Sequence, residues 1–327
     1  MYGSRIVGTG ASVPDRVLTN ADLERIVSTS DEWIVTRTGI SERRIAADTQ
    51  ATSDLAEQAA RRALEAAGVD PLDVDLILVC TVTPDMFFPS TGCILQDRLG
   101  ASHAAAFDLS AACSGFIYGL SVANAYLRTS VMRNILVIGA ETLSKVVDWS
   151  DRATCVLFAD GAGAALMQRT TGDSRVLSTH LYADGSKGKQ LIIPGGGSRH
   201  PISQKVLDEN LVKIKMANGN EVFKVAVRSM EEAALAALKA NGAEVSDIDL
   251  FVPHQANARI IYAVAQRLGL PKERIVVNIG RFGNTSAASI PIALDEAVRA
   301  GRLKSGDLLL LAAFGGGLTW GSALIRW

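Results

Sequence analysis

The sequence predicts an α/β fold of five stacked layers, α/β/α/β/α, assembled from two halves of like structure. Three observations predict it. First, one order of elements occurs twice. Leu64-Glu65-Ala66-Ala67-Gly68 runs through Asp73-Val74-Asp75 into Leu76-Ile77-Leu78-Val79-Cys80. Leu238-Lys239-Ala240-Asn241-Gly242 runs through Asp247-Ile248-Asp249 into Leu250-Phe251-Val252-Pro253-His254. Second, each copy has an Ala-rich helix closed by a glycine, the residue that takes a left-handed C-cap without strain. Third, the run after each acidic turn is short and apolar throughout, as in a parallel strand buried on both faces.

The matching holds element by element. The opening Ser4-Arg5-Ile6-Val7 answers Ser174-Arg175-Val176-Leu177. Arg98-Leu99-Gly100 and Arg267-Leu268-Gly269 close a second helix in each half. Phe107-Asp108-Leu109 answers Val277-Asn278-Ile279 as the next strand, each turning soon into a third helix. Asn134 to Gly139 answers Asp307 to Ala312, and Gly163-Ala164-Ala165-Leu166-Met167 answers Gly321-Ser322-Ala323-Leu324-Ile325. Each half, 1–173 and 174–327, thus reads β-α-β-α-β-α-β-β, with helices for both faces of its sheet. Two such sheets sharing a central helical layer give the five layers. One stretch, Gly185 to Lys213 with Pro194-Gly195-Gly196-Gly197, has no counterpart and reads as a long polar loop.

Composition narrows the function. The 327 residues carry 33 Lys and Arg against 34 Asp and Glu, a balance that argues against a nucleic-acid binder. Hydrophobic residues make up 48%, ample for a large core. The longest apolar runs, such as Leu308 to Phe314, fall short of a bilayer span, and the opening residues lack a signal-peptide apolar region. Four cysteines in a chain this long do not form a disulfide framework, so a cytoplasmic protein is expected.

Three residues carry the chemistry. Cys113 lies in Ser110-Ala111-Ala112-Cys113-Ser114-Gly115, between a strand and an apolar helix. A thiol there sits over free helix N–H groups and the positive end of the helix dipole, which favour the thiolate. The competing reading is a small buried hydrophobe, the reading taken for Cys80, Cys93 and Cys155. His254 ends the strand Leu250 to Pro253, at the carboxyl edge where ligands of an open parallel sheet gather. His103, His180 and His200 lack polar company. Asn284 opens the third helix of the second half within Gly283-Asn284-Thr285-Ser286-Ala287-Ala288-Ser289, as Cys113 does in the first. A pseudo-twofold axis relating the halves brings both helix starts and His254 to one cavity. Phe314-Gly315-Gly316-Gly317-Leu318 suits a tight turn whose N–H groups face a developing oxyanion. It lacks the Lys and Ser/Thr of a phosphate-binding loop, and Gly8-Thr9-Gly10-Ala11-Ser12 lacks the third glycine of a dinucleotide site.

These residues carry a resemblance over essentially the whole chain. Ala112-Cys113-Ser114-Gly115-Phe116, His254-Gln255-Ala256-Asn257, Gly283-Asn284-Thr285-Ser286-Ala287 and Asp31-Glu32-Trp33-Ile34 resemble the β-ketoacyl-acyl-carrier-protein synthase III family. That family initiates bacterial type II fatty-acid synthesis and belongs to the thiolase superfamily. The Cys/His/Asn set differs from the Cys/His/His of elongating synthases and from the second cysteine of thiolases. The resemblance implies a decarboxylating condensation of a short acyl-CoA, foremost acetyl-CoA, with malonyl-acyl carrier protein through an acyl-Cys113 intermediate. It implies an oxyanion hole from the N–H groups of Cys113 and Gly316, and no metal or redox cofactor. It places Trp33 and Arg152 on the CoA adenine, Arg37 on its phosphates and Asn220 on the pantetheine arm.

Carrier protein is acidic, so docking needs local positive charge. Lys224, Arg228, Arg259 and Arg267, with Gln255 beside the catalytic histidine, are the candidates, although Gln266 replaces a basic residue frequent in the family. Phe87-Phe88-Pro89-Ser90 resembles the segment that crosses a homodimer interface, where Phe88 and Met86 bear on acyl length. Two alternatives remain: a specialised condensing relative using longer acyl-CoA, and a cysteine thioester hydrolase, which needs a base that Asn284 cannot supply.

Overall fold

The computed structural model describes residues 2–129 and 131–327. Its strands form two large sheets. The first runs in the order Gly3–Ser12, Asp160–Thr170, Asn134–Thr142, Leu76–Cys80, Ala105–Leu109. The second runs Leu250–Pro253 beside Leu308–Gly315, then Thr319–Arg326, then Arg175–Ala183. Read by place in each half, the two orders agree: the first strand pairs with the last, the last with the fourth, the fourth with the second. The repeat is therefore a repeat of topology.

Alternation along the strands builds the layers. Leu76, Leu78 and Cys80 face inward to a central helical layer, while Ile77 and Val79 face the outer helices Thr52–Ala67 and Thr91–Leu99. In the second sheet Leu309, Leu311 and Ala313 face the centre, and Leu308, Leu310 and Ala312 face Gly219–Ala240 and Ala258–Leu268. The central layer is the third helix of each half, Gly115–Thr129 and Ser289–Arg299. Phe116, Ile117 and Leu120 from one, with Ile290, Ala293 and Leu294 from the other, fill the space between the sheets. Each large side chain so buried contributes about 1.5–3 kcal/mol. Gly68, Gly100 and Gly269 close their helices at φ 63°, 75° and 72°, the left-handed C-cap.

Two expectations are corrected here. Val277-Asn278-Ile279 is not a strand. The second sheet gains only a bridge between Phe251 and Ile275, and the chain then turns into the short helix Ile279–Phe282. The cause is Gln255, whose buried side-chain oxygen accepts the N–H groups of Asn278 (3.0 Å) and Ile279 (3.3 Å), donors that a ladder would need. The stretch from Gly185 to Lys213 is not a plain loop either. It holds a 3-10 segment Gly185–Gln190, a helix Gln204–Asp208, and a strand Leu191–Ile192 that pairs with Lys215–Met216. Its apolar residues Leu191, Ile193 and Ile214 pack on the protein, which gives this insert its order.

The halves approach backbone to backbone at Gly139, where strand and turn meet. A Cβ there would lie 2.2 Å from the carbonyl oxygen of Ala287. Gly139→Ala is expected to lower the denaturant midpoint, by roughly 1–3 kcal/mol of overpacking. An unchanged midpoint would show that the turn yields.

Candidate active site

Cys113 sits on a strained turn that occurs twice. The 3-10 turn Ala112–Ser114 leads into the helix from Gly115, and the 3-10 turn Ser286–Ala288 leads into the helix from Ser289. Ala112 and Ser286, the first residue of each, are non-glycine residues at φ 46° and 50°, a conformation found where the surrounding structure over-determines the backbone. Cys113 thus corresponds to Ala287, and Asn284 stands two residues before the second turn rather than at the counterpart of the nucleophile. A Cβ on Gly115 would lie 3.3 Å from that of Ala287, so the two turns lie side by side.

The structure brings Cys113, His254 and Asn284 onto one cleft of about 240 Å³, which Trp33, Arg37, Asn220, Phe223 and Arg259 also line. A second cavity of about 240 Å³ meets it at Cys113 and is walled by Leu143, Phe158, Ile193 and Ile214, with Gly316 at its rim. Cys113 therefore stands where this cleft, lined by apolar side chains together with Arg37, Asn220 and Arg259, meets a second and more apolar chamber. A separate surface depression of about 730 Å³ around Asp75, Arg133 and Asn134 lies at the amino ends of the strands Leu76–Cys80 and Asn134–Thr142 and lacks a cysteine among its described residues.

Burial dominates the electrostatics. The Cys113 thiol is pushed up to about 11 by desolvation, against the opposing pull of the Ser286 hydroxyl and of the N–H groups of Cys113 and Gly316. Burial thus opposes the thiolate that the helix terminus favours. Those two N–H groups both act on the sulfur and so both lie beside it. A side chain on Gly315 would strike the Cys113 nitrogen at 2.6 Å, so this approach of the turn requires glycine. His254, 1% exposed, is lowered to about 3 by burial and is neutral. Its Nδ1 lies 2.6 Å from Ser289 Oγ, and its backbone N–H donates to Ala312. Asn284 is pinned by backbone bonds to Leu157 and Ala159. Its Oδ1 accepts the Ser286 N–H at 2.9 Å, which leaves the side-chain NH2 facing the cleft.

The outer residues divide. Trp33 carries guanidinium groups on its ring, Arg152 at 4.5 Å and Arg37 at 5.1 Å. Asn220 opens the long helix at the cleft. Lys224 is exposed, Arg228 pairs loosely with Glu232 at 3.8 Å, and Arg259 lies over Phe223 at 5.4 Å. Arg267 is held by Glu231 at 2.6 Å, so its charge is already offset. Gln255 is not a surface residue. It is 1% exposed, and its Nε2 donates to the carbonyls of Pro253 and Val276. Cys93 is exposed rather than packed, whereas Cys80 and Cys155 are buried. His180 has a polar neighbour, Ser178 at 3.1 Å. Phe88 and Phe87 are 85% and 82% exposed, and Met86 is 48% exposed.

Sequence reasoning missed Glu141. It is wholly buried, accepts from Thr83 (2.6 Å), Thr81 (3.2 Å) and the N–H of Val82, and faces Ser286. The available signal was an acid directly after the apolar strand run Ile135 to Ala140. Desolvation raises its carboxyl from 4.5 to about 7, although every hydrogen bond opposes this. The stability this group contributes is complete below its unfolded value and is lost as pH rises through about 7. Across that window the wild type should lose about 3 kcal/mol relative to Glu141→Gln, read from denaturant midpoints at a series of pH values. Parallel curves for the two proteins would overturn the assignment.

Comparisons with known proteins agree along the chain. The family described as 3-oxoacyl-[acyl-carrier-protein (ACP)] synthase III matches residues 107–185, and its C-terminal part matches residues 238–327. A beta-ketoacyl-[acyl-carrier-protein] synthase III of Alkalilimnicola ehrlichii is 57% identical over 100% of both chains. One of Caldanaerobacter subterraneus is 56% identical over 98% of this chain and 97% of its own. The crystal structure of the 3-oxoacyl-[acyl-carrier-protein] synthase III of Aquifex aeolicus superposes with a TM-score of 0.92 at 51% identity, covering 99% of this chain and 100% of that one. A buried cysteine on a strained turn, two neutral donors beside it and a glycine turn behind it thus lie in a chain that belongs to the β-ketoacyl-acyl-carrier-protein synthase III family of condensing acyltransferases, with its thiolase-like fold.

Proposed function

We propose that this chain condenses a short acyl-CoA, foremost acetyl-CoA, with malonyl-acyl carrier protein, giving 3-oxoacyl-acyl carrier protein, CoA and CO2. The observation that carries the reading is the junction at Cys113 between a cleft that bears Trp33, Arg37 and Asn220 and a second, more apolar chamber. The CoA ester lies in the cleft. Trp33, Arg37 and Arg152 offer an indole and guanidinium groups to its adenine and phosphates, and Asn220 a hydrogen bond to its pantetheine arm. Its acyl group enters the chamber.

Chemistry follows in two stages. The sulfur of Cys113 attacks the thioester carbonyl, and its proton leaves with the departing CoA thiolate. The N–H groups of Cys113 and Gly316 hold the tetrahedral oxygen. The malonyl thioester then takes the vacated cleft, its carbonyl oxygen between His254 and the Asn284 NH2. As the carboxylate leaves as CO2, the electron pair passes into an enolate that those two donors stabilise. The enolate carbon attacks the acyl-enzyme carbonyl, and the Cys113 thiolate departs and regains a proton from water. Thioester exchange and decarboxylation balance without an electron donor or acceptor, so the reaction calls for no metal or redox cofactor.

Lys224, Arg228 and Arg259, near the cleft, are the groups offered to an acidic carrier protein. The exposed Met86, Phe87 and Phe88 support a homodimer in which this segment is covered by a second copy. No helix among the described residues is long and apolar enough to cross a membrane, and the free cysteines suit a cytoplasmic setting.

The test is condensation of malonyl carrier protein with acyl-CoAs from acetyl to decanoyl. Rapid turnover with acetyl-CoA, abolished in Cys113→Ser, is expected. Transfer to Cys113 without carbon–carbon bond formation, or turnover with long chains alone, would sink the reading. His254→Ala and Asn284→Ala should each slow CO2 release by about 10²–10³-fold, the loss of one oxyanion donor, while acylation of Cys113 persists.

A further inference from the structure

A neutral imidazole is either a donor or an acceptor toward a substrate, depending on which ring nitrogen bears its one proton. The reading above needs a donor at His254 Nε2. A second residue decides this. Ser289, first residue of the helix Ser289–Arg299 and 2% exposed, has two polar contacts: His254 Nδ1 at 2.6 Å and the backbone N–H of Gln255 at 3.2 Å.

The protons can be counted. The Gln255 N–H can only donate, so it occupies a lone pair of Ser289 Oγ. The hydroxyl has one proton to place, and His254 Nδ1 is the acceptor in contact with it among the described residues. That nitrogen is then bare, and the imidazole proton resides on Nε2. In the other tautomer an Nδ1–H and the Gln255 N–H would both donate to the same oxygen. The buried hydroxyl proton would be left without an acceptor, and a lone pair would face the developing enolate.

We infer that Ser289 is a positioning residue that fixes the Nε2–H tautomer of His254 and so commits it to hydrogen-bond donation rather than proton abstraction. Gln255 completes the device. Its side chain is clamped between the carbonyls of Pro253 and Val276 and the N–H groups of Asn278 and Ile279. That clamp holds the backbone of Gln255, and hence its N–H, against Ser289. The order Gln255, Ser289, His254 is a chain of donors, each with its acceptor determined by the one before. This inference rests on the reading of His254 as an enolate donor, but the tautomer can be measured without turnover.

The experiment uses the full chain with ¹⁵N-labelled histidine, the His254 signals being identified by their loss in His254→Ala. Long-range ¹H–¹⁵N correlation spectra should show Nδ1 as the unprotonated ring nitrogen and Nε2 as the protonated one. In Ser289→Ala the protonated signal should move toward Nδ1, and CO2 release from malonyl carrier protein should fall roughly 10- to 100-fold. Acylation of Cys113 should hold its wild-type rate, which a general packing defect would not spare. Ser289→Thr, which keeps the hydroxyl, should restore both the spectrum and CO2 release. A wild-type Nδ1–H overturns the inference, as does a Ser289→Ala protein with unchanged spectrum and CO2 release. An Nε2–H spectrum with CO2 release indifferent to His254→Ala overturns the donor role itself.

Discussion

The contact on which the site depends is the one between two strand-to-helix turns, Ala112–Ser114 and Ser286–Ala288, at the centre of the molecule. Each turn bends through a left-handed residue, Ala112 or Ser286, and each starts a helix of the central layer. Their neighbours are small where the turns approach: Gly115 faces Ala287, and Gly139 faces the Ala287 carbonyl. Because both helices are buried between sheets, neither turn can relax without moving a layer. The backbone strain is thereby paid for by packing, and the sulfur, the Asn284 amide and the glycine turn at 315–317 keep fixed mutual positions. His254 joins them from a strand edge, tied by its backbone to Ala312 and through Ser289 to the second turn's helix.

The interior so made is neutral. Burial raises the Cys113 thiol to about 11 and Glu141 to about 7, and lowers His254 to about 3. Near neutral pH the nucleophile is a thiol and the histidine an uncharged imidazole. In the proposed reaction, charge would enter only on the oxygen of a tetrahedral adduct or of an enolate. Donors held in place beforehand would then stabilise it without reorganisation.

How much of this the sequence discloses depends on range. The layers were legible because their signal is periodic and local: Leu76 to Cys80 and Leu308 to Ala313 alternate between two cores, and the repeat states the order of strands twice. That Cys113, His254 and Asn284 meet at one cleft was legible through the repeat and through the motifs around them. What failed was set by contacts distant in sequence. Gln255 reads as a docking residue for carrier protein, yet its buried amide takes N–H groups 23 and 24 residues away and so turns an expected strand into a helix. Ser289 reads as an ordinary helix-opening serine, and its partner lies 35 residues earlier. Glu141 reads as the polar end of a strand, and its ligands come from Thr81 and Thr83 on a neighbouring segment. Cys93 failed for a simpler reason: nothing in its own surroundings says which side of the helix Thr91–Leu99 it occupies.

The insert between residues 185 and 213 has a consequence for how the site is divided. Cys113, His254 and Asn284 belong to the duplicated frame, where turn, helix and sheet constrain one another. The far wall of the chamber beyond Cys113 comes instead from Leu191, Ile192, Ile193 and Ile214, on a small ribbon outside both large sheets and absent from the first half. Among the described residues this ribbon pairs with no strand of either large sheet, although Leu191 rests against the glycine turn at Gly316. In the proposed function, the symmetric frame would then hold the reacting groups while the unsymmetric addition shapes the space left for the acyl group.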